Sequence, residues 1–309
     1  MKKAIIPAAG YGTRLLPITR VIPKVMIPVL AKPILHYVID ELYGAGIRDV
    51  LLVVGWKKEV ISDYWEYKRD AMVKWLEEHA KYEFIEKIKN IKPKELNITY
   101  IEQKILNGLA GAILLGKEFV GNDNFAVALA DNVIIEKEAG SLLREMIQAH
   151  EKLDAKVTLA VAEVPDHLVS KFGIVGIKDE IKEGGVKVFE VNKVIEKPSL
   201  EEAPSNYAIL GRYVLSPLAL DYLERAPVIK GEISETEAFQ AMANDGHKVI
   251  ALDVGKRRWY DVGILEGYAK AFIDLLLFAE TKDVPKELKE KIINWLKELL
   301  EEHYSVIKC

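Results

Sequence analysis

The sequence predicts an α/β fold, a Rossmann-like mixed and mainly parallel sheet flanked by helices. Two observations lead to this prediction. Residues 3–7 and 50–54 are short, continuous apolar runs, which is typical of strands buried on both faces. Between them, the apolar residues from Ile34 to Leu42 have the spacing of one helix face. A strand, a helix and a strand in this order imply a right-handed crossover between parallel strands.

The first helix is followed by a long polar stretch that interrupts the sheet. Pro33 precedes the helix at a position that tolerates proline, and Gly44 and Gly46 follow it. After the second strand, residues 56–91 change in composition to Lys, Glu, Trp and Tyr with long helical patterning. Carboxylates interleave with the aromatic residues, which favours packing over a nucleic-acid surface. We therefore expect a helical insertion between two strands of the sheet.

The rest of the chain continues the alternation, less regularly in its second half. Strands are predicted over residues 96–101, 125–130, 157–161, 172–176, 186–195, 206–215 and 249–254, with a turn at residues 184–185. Helices are predicted over residues 140–153, from Ser216, from Ser234 and over the amphipathic residues 288–299. No internal repeat interrupts this order, so we expect one compact unit over residues 1–309.

Composition excludes several classes of function. Half of the 309 residues are hydrophobic, which allows a sizeable core, and no apolar run reaches the length of a transmembrane helix. The only cysteine is Cys309, so no disulfide can form within the chain and no thiolate metal site can be built. The net charge of −4 gives no global positive field for nucleic acid. With no signal-peptide pattern after Met1, we expect a cytoplasmic protein without membrane or nucleic-acid partners.

A glycine-containing loop after the first strand is the best candidate for an anion site. Its residues are small or polar: Ala8, Ala9, Gly10, Gly12 and Thr13. The bare backbone there can turn its N–H groups toward phosphate oxygens. Arg14 and Lys24 add positive charge, and the first carboxylate of the chain is Asp40. The loop therefore predicts a local binding site for a phosphate-bearing ligand.

Two common phosphate-binding loops do not match this one. A dinucleotide fingerprint needs a third glycine where Leu15 stands, and a P-loop needs Gly-Lys-Ser or Gly-Lys-Thr where Gly12, Thr13 and Arg14 stand. An ordinary glycine turn is the alternative, but it does not explain the basic, acid-free segment that follows. Prolines keep that segment extended, so we expect no helix N-terminus behind the loop: Pro17, Pro23, Pro28 and Pro33.

Together these motifs resemble the signature of the sugar-1-phosphate nucleotidyltransferases. The matching residues are the loop at 8–14 and the prolines and lysines after it: Pro17, Pro23, Lys24, Pro28, Lys32 and Pro33. Within that family the sequence is most similar to the UTP–glucose-1-phosphate uridylyltransferases of the bacterial type. Those enzymes carry a helical excursion like residues 56–91, and the shorter thymidylyltransferases do not. The resemblance covers nearly the whole chain.

The resemblance implies a fold, a division of the chain and a reaction. The fold is that of the nucleotide-diphospho-sugar transferases, in a single domain over residues 1–309. Residues 1–135 form a nucleotide-binding half, residues 136–275 a sugar-binding half and residues 276–309 a C-terminal helical segment. The reaction transfers a uridylyl group from UTP to glucose 1-phosphate with the help of Mg²⁺, giving UDP-glucose and pyrophosphate. A homo-oligomer, either a dimer or a tetramer, is implied as well.

The resemblance also implies roles for individual residues. The catalytic residues are Arg14, Lys24, Asp131 and Lys197. The nucleotide-binding residues are Ala8, Ala9, Gly10, Gly12, Thr13, Arg14, Lys24, Gln103 and Gly108. The residues that bind the sugar phosphate are Asn132, Gly173, Glu196 and Lys197, and the metal ligands are Asp131 and Asp261.

The chemistry of these side chains suits the implied roles. The amide of Gln103 both donates and accepts hydrogen bonds, so it can accept from the N3–H group and donate to the O4 atom of uracil or thymine. Mg²⁺ normally takes one or two carboxylates together with phosphate oxygens, and Asp131 and Asp261 each follow a strand-like run. Taken alone, either aspartate could be a turn or capping residue, and the glutamine could face solvent.

Some residues depart from the uridylyltransferase pattern. Residues 107–112 read Asn-Gly-Leu-Ala-Gly-Ala, where the family usually has Lys-Gly-Leu-Gly-His-Ala. Asp131 followed by Asn132 is nearer to the thymidylyl branch, and Ser234 stands where a glutamine usually follows Glu-Ile. A thymidylyltransferase using dTTP and a non-catalytic regulatory homologue therefore stay open as alternatives. The latter would be expected to lack one of four charged residues that are all present: Arg14, Lys24, Asp131 and Asp261.

Overall fold

In a computed structural model the chain forms one large sheet with helices on both faces. The structure describes residues 1–183, 185–277 and 285–307. The predicted turn residue Gly184, part of the C-terminal segment and the single cysteine Cys309 lie outside the described residues.

The strands are short except in the second half of the chain. In chain order they are β1 (Lys3–Ala8), β2 (Pro28–Val29), β3 (Lys32–Pro33), β4 (Asp49–Val54), β5 (Asn97–Glu102), β6 (Phe125–Ala128), β7 (Asn132–Ile135), β8 (Val157–Glu163), β9 (Gly173–Glu183), β10 (Val186–Glu196), β11 (Tyr207–Leu215), β12 (Val228–Ile229), β13 (Glu232–Ile233), β14 (Val249–Asp253) and β15 (Arg258–Asp261). In the described chain, the main sheet has the order β5-β4-β1-β6-β11-β8-β14-β10-β9. Three small pairs complete the set: β2 with β3, β7 with β15 and β12 with β13.

The strand directions confirm the mixed α/β class. β1 pairs in parallel with β4 and β6, and β4 pairs in parallel with β5. β8 and β14 are also parallel, whereas β11 runs antiparallel between β6 and β8. β10 is antiparallel to both β14 and β9. Parallel pairing therefore dominates the N-terminal half, where the carboxyl ends of β1 and β6 meet at one edge, the usual place for ligands in such sheets.

The helices cover both faces of the sheet. They are α1 (Ile34–Gly44), α2 (Lys58–Trp65), α3 (Ala71–Glu78), α4 (Tyr82–Lys89), α5 (Gly108–Leu114), α6 (Lys117–Val120), α7 (Ser141–Lys152), α8 (Leu218–Arg225), α9 (Glu235–Asn244), α10 (Leu265–Leu277) and α11 (Lys286–Ile307). Ile6 joins the core formed with α1 and α7, while Ile5 joins the core formed with α5, α8 and α9. Because β1 is buried on both faces, its sequence after Lys3 is continuously apolar.

The predicted helical insertion is confirmed as α2, α3 and α4, which lie between β4 and β5. Asp70 caps α3, its Oδ1 accepting the Val73 N–H at 2.9 Å. Trp65 is buried, and its ring lies 5.2 Å from that of His36 on α1. Trp75 is instead partly exposed and stacks on His79 at 4.3 Å. The insertion is thus anchored to the sheet through α1.

Two local predictions differ from the structure. The proline-rich segment is not extended throughout, since it forms 3₁₀ turns at Thr13–Leu15, Ile18–Arg20 and Lys24–Met26. Pro17 and Pro23 stand just before two of these turns, where a missing N–H leaves no hydrogen bond unmade. The sequence patterns also do not predict β7, β15 or α5. In the described residues, no helix has the length and apolarity needed to cross a membrane.

Candidate active site

Two adjoining cavities open beyond the carboxyl ends of β1 and β6. The first, the Gln103 cavity, has a volume of about 320 Å³, and its lining includes Ala9, Gly10, Lys24, Gln103, Gly108 and Asp131. The second, the Glu196 cavity, has a volume of about 310 Å³, and its lining includes Asp131, Gly173, Glu196, Lys197, Glu235 and Asp261. Asp131 lines both cavities and therefore stands at their junction.

The glycine loop packs directly against Lys24. Gly12 has a φ of +67°, and a Cβ at this position would lie 2.8 Å from the Cβ of Lys24. The Thr19 hydroxyl donates to the Gly12 carbonyl at 3.0 Å, which ties the loop to the following turn. Only glycine fits this left-handed and crowded position without strain. The close packing places the lysine ammonium beside Gly10 at the mouth of the Gln103 cavity.

Each candidate metal ligand is paired with a cation from the N-terminal segment. The Lys24 ammonium donates to Oδ2 of Asp131, and both side chains are mostly buried. Arg14 Nη1 donates to Oδ2 of Asp261 at 3.2 Å. The two pairs join residues more than a hundred positions apart in sequence. The site therefore carries two positive and two negative side chains in close contact.

Gly263 brings the two carboxylates together. A Cβ at this position would lie 2.9 Å from Asp261 Oδ1, 3.0 Å from Asp131 Oδ2 and 3.2 Å from Arg14 Nη2. The Gly263 N–H donates to Asp261 Oδ1 at 2.9 Å, and the Val262 N–H donates to the Asp131 carbonyl at 2.9 Å. The antiparallel pairing of β7 with β15 sets this approach by placing Asp261 opposite Asn132. Two carboxylates that converge beside Gly263 suit a cation that completes its coordination with substrate oxygens.

Within the described residues, no group of three or more His, Cys, Asp or Glu side chains is arranged to hold a metal ion. The protein therefore does not supply a complete cage in the part of the chain that is described. A cation held by Asp131 and Asp261 would take its other ligands from phosphate groups and water, which is how Mg²⁺ usually binds at phosphoryl-transfer sites.

Gln103 is held by its amide nitrogen. This side chain is 8% exposed, and its Nε2 donates to Asn107 Oδ1 at 3.1 Å and to the Gly108 carbonyl at 3.2 Å. Both amide hydrogens are then used within the protein. The amide oxygen is left as the atom that can accept a hydrogen bond from a ligand in the cavity.

Glu196 and Lys197 form an ion pair at the rim of the second cavity. Lys197 Nζ lies 2.5 Å from Glu196 Oε1, and both side chains are partly exposed. Lys197 has a φ of +46°, a left-handed conformation that its N–H supports by donating to the Phe172 carbonyl at 3.0 Å. A Cβ at Gly173 would lie 3.2 Å from Glu196 Oε2 and 3.3 Å from Thr236 Cγ2. The missing side chain at Gly173 thus lets the Glu196 carboxylate and the start of α9 pack closely against the backbone.

The residues that fix the Asp131 turn were not predicted from the sequence. Arg212 is fully buried and donates to both carboxylate oxygens of Glu41 on α1, each at 2.8 Å. The same guanidinium donates to the Leu129 carbonyl at 3.2 Å and to the Asn132 carbonyl at 2.8 Å. These two carbonyls flank Asp131 in sequence. Arg212 therefore holds the backbone on both sides of the aspartate at the cavity junction.

Asn132 offers a further polar atom to the Glu196 cavity. This residue lines the cavity, and its Oδ1 is buried and accepts no hydrogen bond from the described residues. A buried acceptor without a donor costs free energy until a ligand or water satisfies it. The amide oxygen is thus suited to a hydroxyl donor of a bound molecule.

Most of the predicted site residues line one of the two cavities. Ala9, Gly10, Lys24, Gln103 and Gly108 line the first, while Arg14, Asn132, Gly173, Glu196, Lys197 and Asp261 line the second. Arg14 was expected beside the nucleotide, yet it faces the second cavity and pairs with Asp261. Ala8, Gly12 and Thr13 line neither cavity: they form the strand end and the loop that support the lining residues.

Comparison with known proteins identifies relatives over nearly the full length. A sequence model of nucleotidyl transferases matches residues 3–276. The UTP–glucose-1-phosphate uridylyltransferase of Staphylococcus haemolyticus is 39% identical over 97% of this chain and 98% of its own length. The UTP-bound UGPase of Acinetobacter baumannii superposes with a TM-score of 0.85 at 33% identity, covering 97% of this chain and 99% of its own.

A UDP-glucose pyrophosphorylase complexed with UDP-glucose is also similar, with a TM-score of 0.77 and 35% identity over 88% of this chain and 97% of that chain. Each of these relatives matches most of this chain and nearly all of its own length. The resemblance inferred from the loop and its prolines is thereby confirmed, and the chain belongs to the nucleotidyl transferase family.

Proposed function

We propose that this chain transfers a uridylyl group from UTP to glucose 1-phosphate, giving UDP-glucose and pyrophosphate. The similar proteins support the choice of substrates, since one of them is named for this reaction, one is UTP-bound and one is complexed with UDP-glucose. The observation that carries the proposal is the position of Asp131, which lines both cavities. A nucleotide in the Gln103 cavity and a sugar phosphate in the Glu196 cavity meet at this residue.

The reaction needs alignment and charge neutralisation but no protein nucleophile. An oxygen of the sugar phosphate attacks the α-phosphorus of UTP, a new P–O bond forms and the bond to the β-phosphate breaks to release pyrophosphate. We assign Lys24 to the phosphates of the nucleotide and Lys197 to the phosphate of the sugar, and Arg14 lines the Glu196 cavity beside Asp261. Fixed cations at these positions stabilise charge that shifts between the phosphates during transfer.

The family indicates a divalent cation, and we propose that it is Mg²⁺ held by Asp131 and Asp261. When bound, this ion polarises phosphate oxygens and orients the leaving group. Each aspartate is paired with a cation of the N-terminal segment, Lys24 or Arg14. Substrate phosphates would compete for those cations, and the two carboxylates would then be free to hold the ion.

The residues that line the two cavities support a division of the substrate contacts between the two halves of the chain. We propose that residues 1–135 supply most of the nucleotide contacts and residues 136–275 most of the sugar contacts. The division is not complete, because Glu232 lines the Gln103 cavity, and five residues of the first half line the Glu196 cavity: Arg14, Leu109, Leu129, Asp131 and Asn132. A homo-oligomer and a cytoplasmic location stay predictions from the sequence resemblance and the composition.

Pyrophosphate release over a grid of substrates tests the proposal. The purified chain is assayed with UTP, dTTP, CTP and ATP against glucose 1-phosphate and other hexose 1-phosphates, with Mg²⁺ and with excess EDTA. We expect the highest kcat/KM for UTP with glucose 1-phosphate, and loss of turnover in EDTA. A preference for dTTP would assign the thymidylyl reaction instead. Absence of turnover in every combination, with UTP still bound, would assign a regulatory homologue.

A further inference from the structure

We propose that Glu235 is a second sugar-recognition residue, which contacts hydroxyl groups of the bound sugar together with Glu196. The inference rests on the proposed function, since it assigns a role within the sugar subsite. Glu235 lines the Glu196 cavity and is the first residue of α9. The sequence patterns gave no indication of this residue, because a glutamate in the first turn of a helix is common for helix stability alone.

The backbone at Glu235 is firmly held, which fixes the direction of its side chain. Ser234 caps α9, its hydroxyl oxygen accepting the Glu237 N–H at 3.3 Å. The Ser234 N–H donates to the Pro227 carbonyl at 3.0 Å, and the hydroxyls of Ser234 and Thr236 are 3.1 Å apart. Ser234 and Thr236 are both buried. The glutamate therefore projects from a rigid helix start between two buried neighbours, and helix-borne groups position ligands well.

The Glu235 carboxyl has no ion-pair partner among the described residues. Glu196 is neutralised in part by Lys197, but Glu235 has no such contact of its own. The two glutamates lie close enough for the charge of Glu196 to act on the Glu235 carboxyl. A Cβ at Gly173 would lie 3.2 Å from Glu196 Oε2 and 3.3 Å from Thr236 Cγ2, so Glu196 and the residue after Glu235 border the same part of the cavity. A partly buried carboxyl that has no cationic partner and lies near another carboxylate is costly unless a ligand uses it.

The local charges favour the protonated form of this carboxyl. Burial raises the pKa of Glu235 to about 7, and the charges of Glu196 and Glu232 add to the shift. A hydrogen bond from its own backbone N–H and the charge of Lys197 oppose it. The other charged or titratable groups that line this cavity are Arg14, Asp131, Lys171, Tyr213 and Asp261. A protonated carboxyl both donates to and accepts from sugar hydroxyls, whereas the ionised form adds negative charge near an incoming phosphate.

The sign of the pH effect follows from this difference. Because the protonated form binds the sugar phosphate better, affinity is highest below the pKa of Glu235 and falls as the pH rises through about 7. UDP-glucose is a suitable probe, since its diphosphate is esterified at both ends and does not titrate near neutral pH. UDP serves as the reference ligand that lacks the sugar.

The test measures binding by calorimetry in the full chain, independently of turnover. We expect Glu235→Ala to weaken UDP-glucose about three- to tenfold, the effect of one or two lost hydrogen bonds, and to leave UDP unchanged. Glu235→Gln should retain most of the affinity but lose the decline in UDP-glucose affinity between pH 6.5 and 8.5. Glu237→Gln is the matched control, because Glu237 is an exposed carboxylate on the same helix, and it should behave like the wild type.

Three results would overturn the proposal. UDP-glucose affinity could be unchanged in Glu235→Ala, both ligands could weaken equally, or the pH decline could persist in Glu235→Gln. Thermal melts of each variant show whether the fold is intact, and Glu235→Gln provides a near-isosteric variant if the alanine variant unfolds. Turnover of the wild type is measured separately, so a failure of the uridylyl reaction is distinguished from a failure of the assignment of Glu235.

Discussion

At the scale of single residues, the proposed function assigns one lysine to each substrate. Lys24 lies on the N-terminal segment at the Gln103 cavity, and Lys197 lies at the end of β10 in the Glu196 cavity. Losing one charge-assisted contact costs about 1.5–3 kcal/mol, or roughly ten- to a hundredfold in affinity. We expect Lys24→Ala to raise chiefly the KM for UTP, and Lys197→Ala chiefly the KM for glucose 1-phosphate. Steady-state kinetics with each substrate varied in turn measures both values, and a crossed pattern would show that the subsites are wrongly assigned.

Gln103 is the residue that we expect to read the base. Its amide nitrogen is engaged by Asn107 and Gly108, which leaves the oxygen to accept the N3–H of uracil. Cytosine has an acceptor at N3, so this contact discriminates against CTP. We expect Gln103→Leu to lower the kcat/KM for UTP relative to the kcat/KM for CTP. The loss of discrimination should correspond to about 1–3 kcal/mol. An unchanged ratio would mean that the glutamine only supports the Asn107 turn.

At the scale of elements, β11 and α1 together support the Asp131 turn through Arg212 and Glu41. Glu41→Ala leaves a buried guanidinium without its partner, so we expect a loss of about 3–5 kcal/mol in the free energy of unfolding. A double variant, Glu41→Leu with Arg212→Met, removes both buried charges and should recover part of that stability.

The double variant separates stability from positioning. Since Arg212 also holds the Leu129 and Asn132 carbonyls, turnover should stay low even where chemical denaturation shows recovered stability. The UTP affinity of the double variant, measured by calorimetry, should change little. Recovery of turnover together with stability would show that the buried pair has only a structural role.

The predictable elements are those whose pattern is local. β1, β4, α1 and the helical insertion were predicted because continuous apolar runs and helical spacing arise within a few residues. The pairing of β7 with β15 was not, because it joins two four-residue strands of mostly half-buried residues that are far apart in sequence. This pairing brings Asp131 to Asp261. The aspartates could thus be named from the sequence, but their proximity could not.

The residues that support the Asp131 turn also have no local sequence pattern that predicts their contacts. Arg212 lies 171 positions from Glu41, and nothing in either local sequence indicates a partner. A buried arginine in the middle of β11 is an exception to the usual exposure of charged residues. Glu235 was missed for a different reason, since its role depends on the cavity wall formed by β9, β10 and β11.

At the scale of the whole molecule, the net charge of −4 means that the proposed binding of phosphates depends on local cations at the junction of the two cavities. The cations there are paired with Asp131 and Asp261 rather than exposed in a broad positive surface. Such an arrangement suits small phosphorylated ligands and disfavours long polyanions. Both halves of the chain contribute lining residues to the two cavities, and Asp131, which follows β6 by three residues, lies where the cavities meet.

Asp131→Asn tests most directly whether the reacting phosphates lie at the junction of the two cavities. Pyrophosphate release from UTP and glucose 1-phosphate is assayed at saturating Mg²⁺, and UTP binding is measured in parallel. The substitution keeps the shape of the side chain but removes the charge at the junction of the two cavities. We predict that turnover falls by about a hundredfold or more, while UTP affinity stays within severalfold of the wild type. Turnover close to that of the wild type would contradict the placement of the reacting phosphates at Asp131.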